Sequence, residues 1–289
     1  MRLIAAFATL FATNAAAAPN VVTDIAPIHG LVSDVMGDLG APTLLLPANA
    51  DAHSYTMRPS DGQTLADAEI VIWVGAGLTP WLEKPLETLV PDATKLALLL
   101  TEGWTPRELH DADDHDHGVI DPHAWLDPAV AATWLVTIAQ ALGAADPENA
   151  DTYAENAAQA AAQFAQLREG ITAQMAPFAG RAVIWPHDAY GYFADAFGVT
   201  SAGAIMTSDA APPSIFHMTE LGELARSGEV ICILSDPEVK AALVTTIRGG
   251  TGLNTAQIDP IGTNIPLGVG FYSALISQLA DQIAGCLAP

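Results

Sequence analysis

The 289-residue sequence predicts an α/β protein built as two lobes joined by one long, rigid helix. Two observations carry that prediction. Short, wholly apolar runs, such as residues 70–74 and 230–234, alternate with helix-periodic stretches in both halves of the chain. Such alternation with apolar central strands argues for mostly parallel sheets covered by helices. Between the halves lies a long stretch rich in alanine and glutamine with a single apolar stripe.

The elements follow in order. Residues 21–24 read as a short strand leading into Pro27 and an apolar-periodic helix through Met36. Residues 43–47 form a second strand. A helix opens over 59–68, the buried strand 70–74 follows, and a helix over 81–89 precedes a strand around 96–100. The stretch 101–122 breaks this rhythm: few of its residues are apolar, and it reads as an exposed loop. Asp127 can cap a helix running to Leu142. Pro147 then opens the long helix, which reaches Met175 before Pro177. Its Ala, Gln and Glu content favours helix. Tyr153, Ala157, Ala160, Phe164 and Leu167 recur at three- and four-residue steps on one face. At 1.5 Å per residue the helix spans roughly 45 Å, enough for a strut between lobes. Beyond it the alternation resumes, with strands at 181–185, 199–205, 230–234 and one ending at 258. Helices are expected at 189–197, 215–225, 238–247 and 272–284. The division expected is a first lobe over 19–145, a linking helix over 146–176 and a second lobe over 177–289, each lobe with its own core.

Residues 1–18 have one basic residue, a short apolar stretch and a run of small residues, the layout of a secretory signal peptide. Cleavage is expected within 16–19, releasing the protein outside an inner membrane. No later stretch approaches the roughly 18–20 apolar residues of a membrane span. The formal charge is −23, from 10 basic and 33 acidic residues. Nucleic acid needs clustered Lys and Arg, and none are clustered here, so nucleic-acid binding is excluded. Acidic membrane surfaces are poor partners for the same reason; a cation is an easier one. There are two cysteines, Cys232 on a strand and Cys286 beyond the final helix. Outside the cytoplasm they suit a disulfide, which would staple that helix to its sheet; two separately buried thiols remain the alternative.

Three histidines stand in short polar settings at strand or loop transitions: His53 in NADAHSYTMRPSD, His123 in DPHAWLDP and His187 in PHDAYGYF. Asp259 follows a strand in QIDPIG. Strand-end loops of open α/β sheets are where ligands gather. Two of these residues precede the long helix and two follow it, so convergence would place a site between the lobes. Neutral imidazole and carboxylate are zinc donors, and four complete a tetrahedron. Their wide spacing alone does not separate this from four ordinary packed residues.

The motifs themselves are more specific. HSYTMRPSD, DPHAWLDP, HDAYGYFADAFG and IDPIGTNIPLG resemble, in order, the metal-binding segments of the zinc-binding components of bacterial ABC uptake transporters. These belong to the metal-specific solute-binding proteins. The resemblance runs from about Val21 through Leu287. It implies His53, His123, His187 and Asp259 as zinc ligands in an interlobe cleft, and a Cys232–Cys286 disulfide. It also implies a periplasmic carrier, expected to be monomeric, that hands zinc to an ABC permease with its cytoplasmic ATPase. Manganese-binding relatives resemble a site with two histidines and two carboxylates; His187 as a third imidazole favours zinc. A zinc-dependent hydrolase, with Asp188 as base, is the enzymatic alternative, but four protein ligands leave no open position and no HExxH helix is present.

The loop carries His110, Asp113, Asp114, His115, Asp116 and His117 within 107–121. It resembles a short version of the family's His/Asp-rich insertion. The role implied is accessory metal capture, or acceptance from a metallochaperone; the plain alternative is a solvated acidic loop. Asp121, before Pro122, reads as local structure. His29 and His217 read as packed helix residues, and Arg58 as a partner of Asp61.

Overall fold

The computed structural model describes residues 18–47, 50–109, 120–207 and 212–289. Residues 1–17 of the expected signal segment 1–18 lie outside them, as do His110, Asp113, Asp114, His115, Asp116 and His117. The first half contains β1 (Val21–Thr23), α1 (Ala26–Met36), β2 (Thr43–Leu44), α2 (Pro59–Ala66), β3 (Ile70–Trp73), α3 (Pro80–Leu89) and β4 (Thr94–Ala97). Its four strands lie in the order β2-β1-β3-β4, all parallel. After α4 (Pro128–Ala145) and the long α5 (Ala150–Met175), the pattern repeats. The second half has β5 (Ala182–His187), α6 (Gly191–Phe197), β6 (Thr200–Met206), α7 (Ile215–Ser227), β7 (Val230–Ser235), α8 (Ala241–Arg248), β8 (Asn254–Gln257) and α9 (Phe271–Leu287). Its strands are ordered β6-β5-β7-β8, again all parallel. The two parallel-sheet lobes and long helix expected from the sequence are therefore present.

All four residues of β3 are buried, as a strand covered on both faces requires. The apolar run at 96–100 is not one strand. Pairing with β3 uses Thr94–Ala97, and Leu98–Leu100 turns into a 3-10 helix that leaves Leu100 82% exposed. Register with β3 overrode the local apolar signal. Asp127 caps α4 as expected, accepting from the Ala129 N–H at 2.8 Å. Contrary to expectation, α4 is long and apolar enough to cross a membrane by composition, with mean hydropathy 1.4 over 18 residues. Here it packs against α5 and buries Val130, Trp134, Leu135, Ile138 and Leu142. Residues Pro147–Asn149 form a 3-10 turn, so α5 begins three residues later than expected. Its 26 residues span about 39 Å.

The core differs from two separate ones. One apolar cluster covers the α2–α3 face of the first sheet, and another the α7–α8 face of the second. The largest runs continuously through both lobes, from Ile28 and Leu31 on α1, through Tyr153 and Phe164 on α5, to Tyr272, Ile276 and Ile283 on α9. Helix α9 supplies this continuity by packing on both α1 and α5. Gly30 on α1 lets α9 approach, since a Cβ there would sit 2.8 Å from the Phe271 ring. Asp34 on α1 reaches the start of α9, accepting from the Gly270 N–H at 2.7 Å. Cys232 in β7 and Cys286 form a disulfide with a Cα separation of 5.7 Å. Cys286 lies inside the last turn of α9 rather than beyond it, because that helix continues to Leu287.

Candidate metal centre

In the second sheet the strand order reverses between β5 and β7, and α/β proteins bind ligands beyond strand ends at such a switch. His187 is the last residue of β5, and Asp236 follows the last residue of β7. Parallel pairing of these strands sets the two side chains together: His187 Nδ1 lies 2.7 Å from Asp236 Oδ2, both residues buried. The Tyr190 hydroxyl donates to the same oxygen at 3.1 Å. Asp236 Oδ1 meanwhile accepts the N–H groups of Glu238 and Val239 at 3.0 and 3.1 Å. A carboxylate oxygen that accepts from Nδ1 places a His187 proton there, which in the neutral ring leaves Nε2 as the nitrogen able to bind a metal. Burial, then the neighbouring Asp236 charge, pushes the Tyr190 phenol well above its ordinary range, so it stays a donor.

His123 repeats the arrangement in the first lobe. It precedes the 3-10 turn Ala124–Leu126. The buried Asp121 Oδ1 accepts its N–H at 3.0 Å and faces its Nδ1 at 2.9 Å. Asp121 Oδ2 pairs with Arg107 at 3.2 Å. His53 lies in the loop after β2. Asp51 Oδ1 accepts the His53 N–H at 2.8 Å, and Asp51 Oδ2 also accepts from the Ser54 hydroxyl. Trp81 Nε1 anchors the same loop by donating to the Ala52 carbonyl at 2.7 Å. The three imidazoles form a row with His123 in the middle, 5.5 Å from His53 and 5.7 Å from His187 between ring centroids.

Asp259 follows β8 and is buried, but its carboxylate is engaged in its own turn. Oδ1 accepts the N–H groups of Ile261 and Gly262, each at 3.0 Å. Oδ2 accepts the N–H and hydroxyl of Thr263 at 2.7 and 2.6 Å. A cleft of about 340 Å³ is lined by Ala50 and Asp51 from the first lobe and by Met206, Asp236, Glu238 and Asp259 from the second. Glu238 Oε2 stands 3.7 Å from His187 Nε2. The lobes are tied beside it where Trp125 Nε1 donates to the Pro260 carbonyl at 3.1 Å. Among the described residues, no three His, Cys, Asp or Glu side chains are gathered tightly enough to hold an ion. The imidazoles are neighbours in a row, and Asp259 shares the cleft wall with Asp236 and Glu238.

Sequence reasoning missed Asp236, left between a strand and a helix, and Glu238, which it placed at the opening of a helix that begins only at Ala241. The available signal was an acid directly after an apolar strand, the same cue that singled out Asp259. It also missed Arg107, whose Nε reaches Asp195 on α6 at 3.3 Å and whose backbone N–H donates to the Tyr192 hydroxyl at 2.7 Å. Arg107 lies over Gly191, where a Cβ would come within 2.2 Å of its Cζ. Asp121 is more than local structure, since it positions His123. Asp188 is held above the ordinary carboxylate range, chiefly by burial. His29 is packed between the Pro42 carbonyl at 3.1 Å and Ser33 Oγ at 3.3 Å, and His217 faces the Ala204 carbonyl at 2.8 Å, so neither faces the row. The Arg58 N–H donates to Asp61 Oδ2 at 2.7 Å, opening α2.

A family model described as "Zinc-uptake complex component A periplasmic" matches residues 21–286. The high-affinity zinc uptake system protein ZnuA of Paracoccus denitrificans (strain Pd 1222) is 38% identical, the match covering 99% of this chain and 97% of that protein. The protein of the same name from Brucella abortus (strain 2308) is 31% identical, covering 92% and 91%. A crystal structure of ZnuA aligns with a TM-score of 0.82 at 24% identity, covering 94% of this chain and 100% of the other, a likeness of fold.

Proposed function

The chain belongs to the periplasmic zinc-uptake component A family, and from that footing we propose that it captures zinc outside the inner membrane and delivers it to an ABC importer. One observation carries the reading at the level of chemistry. Three imidazoles from separate segments, two in the first lobe and one in the second, stand in a row beside an acidic cleft. Two of them have Nδ1 against a buried carboxylate, which selects Nε2 as the ligating nitrogen. His53, His123 and His187 supply the imidazole donors, with Asp259 as the carboxylate that the sequence motif nominates.

The same donor set argues for a carrier rather than an enzyme. Four protein ligands complete a zinc tetrahedron and leave no open position for a reacting water. Three nitrogen donors also favour zinc over manganese, which prefers oxygen-rich surroundings. The partners that follow are a membrane permease and its ATPase. The 107–121 loop would accept zinc from solution or a metallochaperone, and the working unit would be the monomer. Residues 19–145 and 177–289 are the lobes in this reading, with 146–176 between them.

The test is a zinc titration against a chromophoric chelator. His187→Ala removes one of three imidazoles, and its zinc affinity should fall at least a hundredfold while the apo protein keeps its circular dichroism. Equal affinity in the two proteins would sink the proposed site. Manganese in the same titration should compete weakly.

A further inference from the structure

We propose that Glu238 is a direct ligand of the captured ion, a role that rests on the zinc-carrier reading above. His187 Nδ1 is committed to Asp236, so an ion at this residue binds Nε2. The Glu238 carboxylate stands 3.7 Å from that nitrogen. A tetrahedral zinc with bonds of about 2.0–2.1 Å holds its nitrogen and oxygen donors about 3.3 Å apart. The observed separation exceeds this by little more than a small side-chain rotation. Glu238 also lines the interlobe cleft together with Asp236 and Asp259.

Asp259 is placed differently. Its two oxygens accept four donors at 2.6 to 3.0 Å, which occupies the lone-pair directions of a carboxylate. Binding an ion requires it to release one of them, most simply the Thr263 hydroxyl. At Glu238 the turn is held through the backbone N–H, which donates to Asp236 Oδ1. The Glu238 side chain is one-third exposed, so it can reach toward solvent for an incoming ion and swing back to His187. Glu238 is thus the carboxylate that meets the ion at His187, and Asp259 takes over as the fourth donor only once its turn relaxes.

The experiment uses the full, disulfide-bonded protein and the near-isosteric Glu238→Gln. Zinc affinity is read by chelator competition, and ligand geometry by the visible absorption of the Co(II)-loaded protein. Affinity should fall at least tenfold, and the cobalt band should change shape or intensity. An unchanged cobalt band overturns the proposal, even if affinity drops, because a mere loss of nearby charge leaves the ligand field alone. Should Glu238→Gln melt early, Glu238→Asp keeps the charge, withdraws the carboxylate by one methylene and is judged by the same band. Failure of the carrier reading looks different: the wild-type protein and His187→Ala would then bind zinc equally poorly.

Discussion

Asp236→Asn tests whether the carboxylate behind His187 sets its ligating tautomer. Asp236 divides its oxygens: Oδ1 accepts the Glu238 and Val239 N–H groups, and Oδ2 accepts from Tyr190 and from His187 Nδ1. Asparagine keeps one acceptor and replaces the other with a donor. With its oxygen left on the turn, its NH2 faces His187 Nδ1 and the Tyr190 hydroxyl. The imidazole must then accept at Nδ1 and carry its proton on Nε2, where the metal should bind. Flipping the amide restores the imidazole but opposes NH2 to the two backbone N–H groups. Either way one buried contact is lost. Partners of this kind shift metal affinity by about 10- to 100-fold, or about 1.4–2.7 kcal/mol.

Chelator competition at neutral pH reads this directly, with Tyr190→Phe as the control. That variant removes a hydroxyl from the same oxygen but leaves Asp236 facing His187, so its affinity should stay within about threefold. Its stability should fall by about 1 kcal/mol for the lost buried hydrogen bond. Zinc affinity in Asp236→Asn within threefold of wild type would refute the tautomer argument.

Arg107→Ala should lower both stability and zinc affinity, because Asp121 loses its cation while still facing His123; about 1–3 kcal/mol in a melt and a several-fold weaker titration are expected. No change in either would show that the Arg107 contacts to Asp121 and Asp195 are incidental. Asp24 and Asp34 are each raised by burial from 3.8 to about 6, so folding favours their protonated forms. Their stabilising contribution is full below about pH 4 and lost as pH rises through 6, on the order of 3 kcal/mol each. Denaturation of wild type and Asp24→Asn should therefore show wild type gaining relative stability between pH 7 and pH 4; a constant difference would contradict it. Reducing Cys232–Cys286, which closes a 54-residue separation, should lower apo stability by about 4 kcal/mol in the chain-entropy model. Melts with and without reductant check this.

Much of the fold was legible because its signals are local. The run Ile70–Trp73 is apolar at every position, and the alanine-rich α5 shows its buried stripe at Tyr153, Ala157, Ala160 and Phe164. The strand near residues 96–100 misled because β4 takes its register from β3, a contact that its own leucines do not encode. The continuous core was hidden for a related reason. Gly30 meeting Phe271 and Asp34 meeting Gly270 join residues more than 200 positions apart, and neither pair carries a local pattern.

The centre divides along the same line. Each histidine stands in a loop or at a strand end whose polar surroundings are visible in sequence, whereas the carboxylate orienting His187 follows a different strand, 49 residues away. Asp236 also shows why a local reading stops halfway. With one oxygen it does what an acid before Pro237 and Glu238 is expected to do, holding the N–H groups of the following turn. Its second oxygen is what matters for His187, and only the pairing of β5 with β7 brings it there. Asp121 splits its oxygens in a comparable way between His123 and Arg107. Asp259 shares the cue of an acid after a strand, yet spends both oxygens on its own turn. An acid at a strand end is therefore a sign of a turn first. Whether it also serves an ion depends on how many of its lone pairs that turn leaves over, which is why Glu238, with its backbone held and its carboxylate outside the turn, stands nearer to His187 Nε2 than the sequence motif alone suggests.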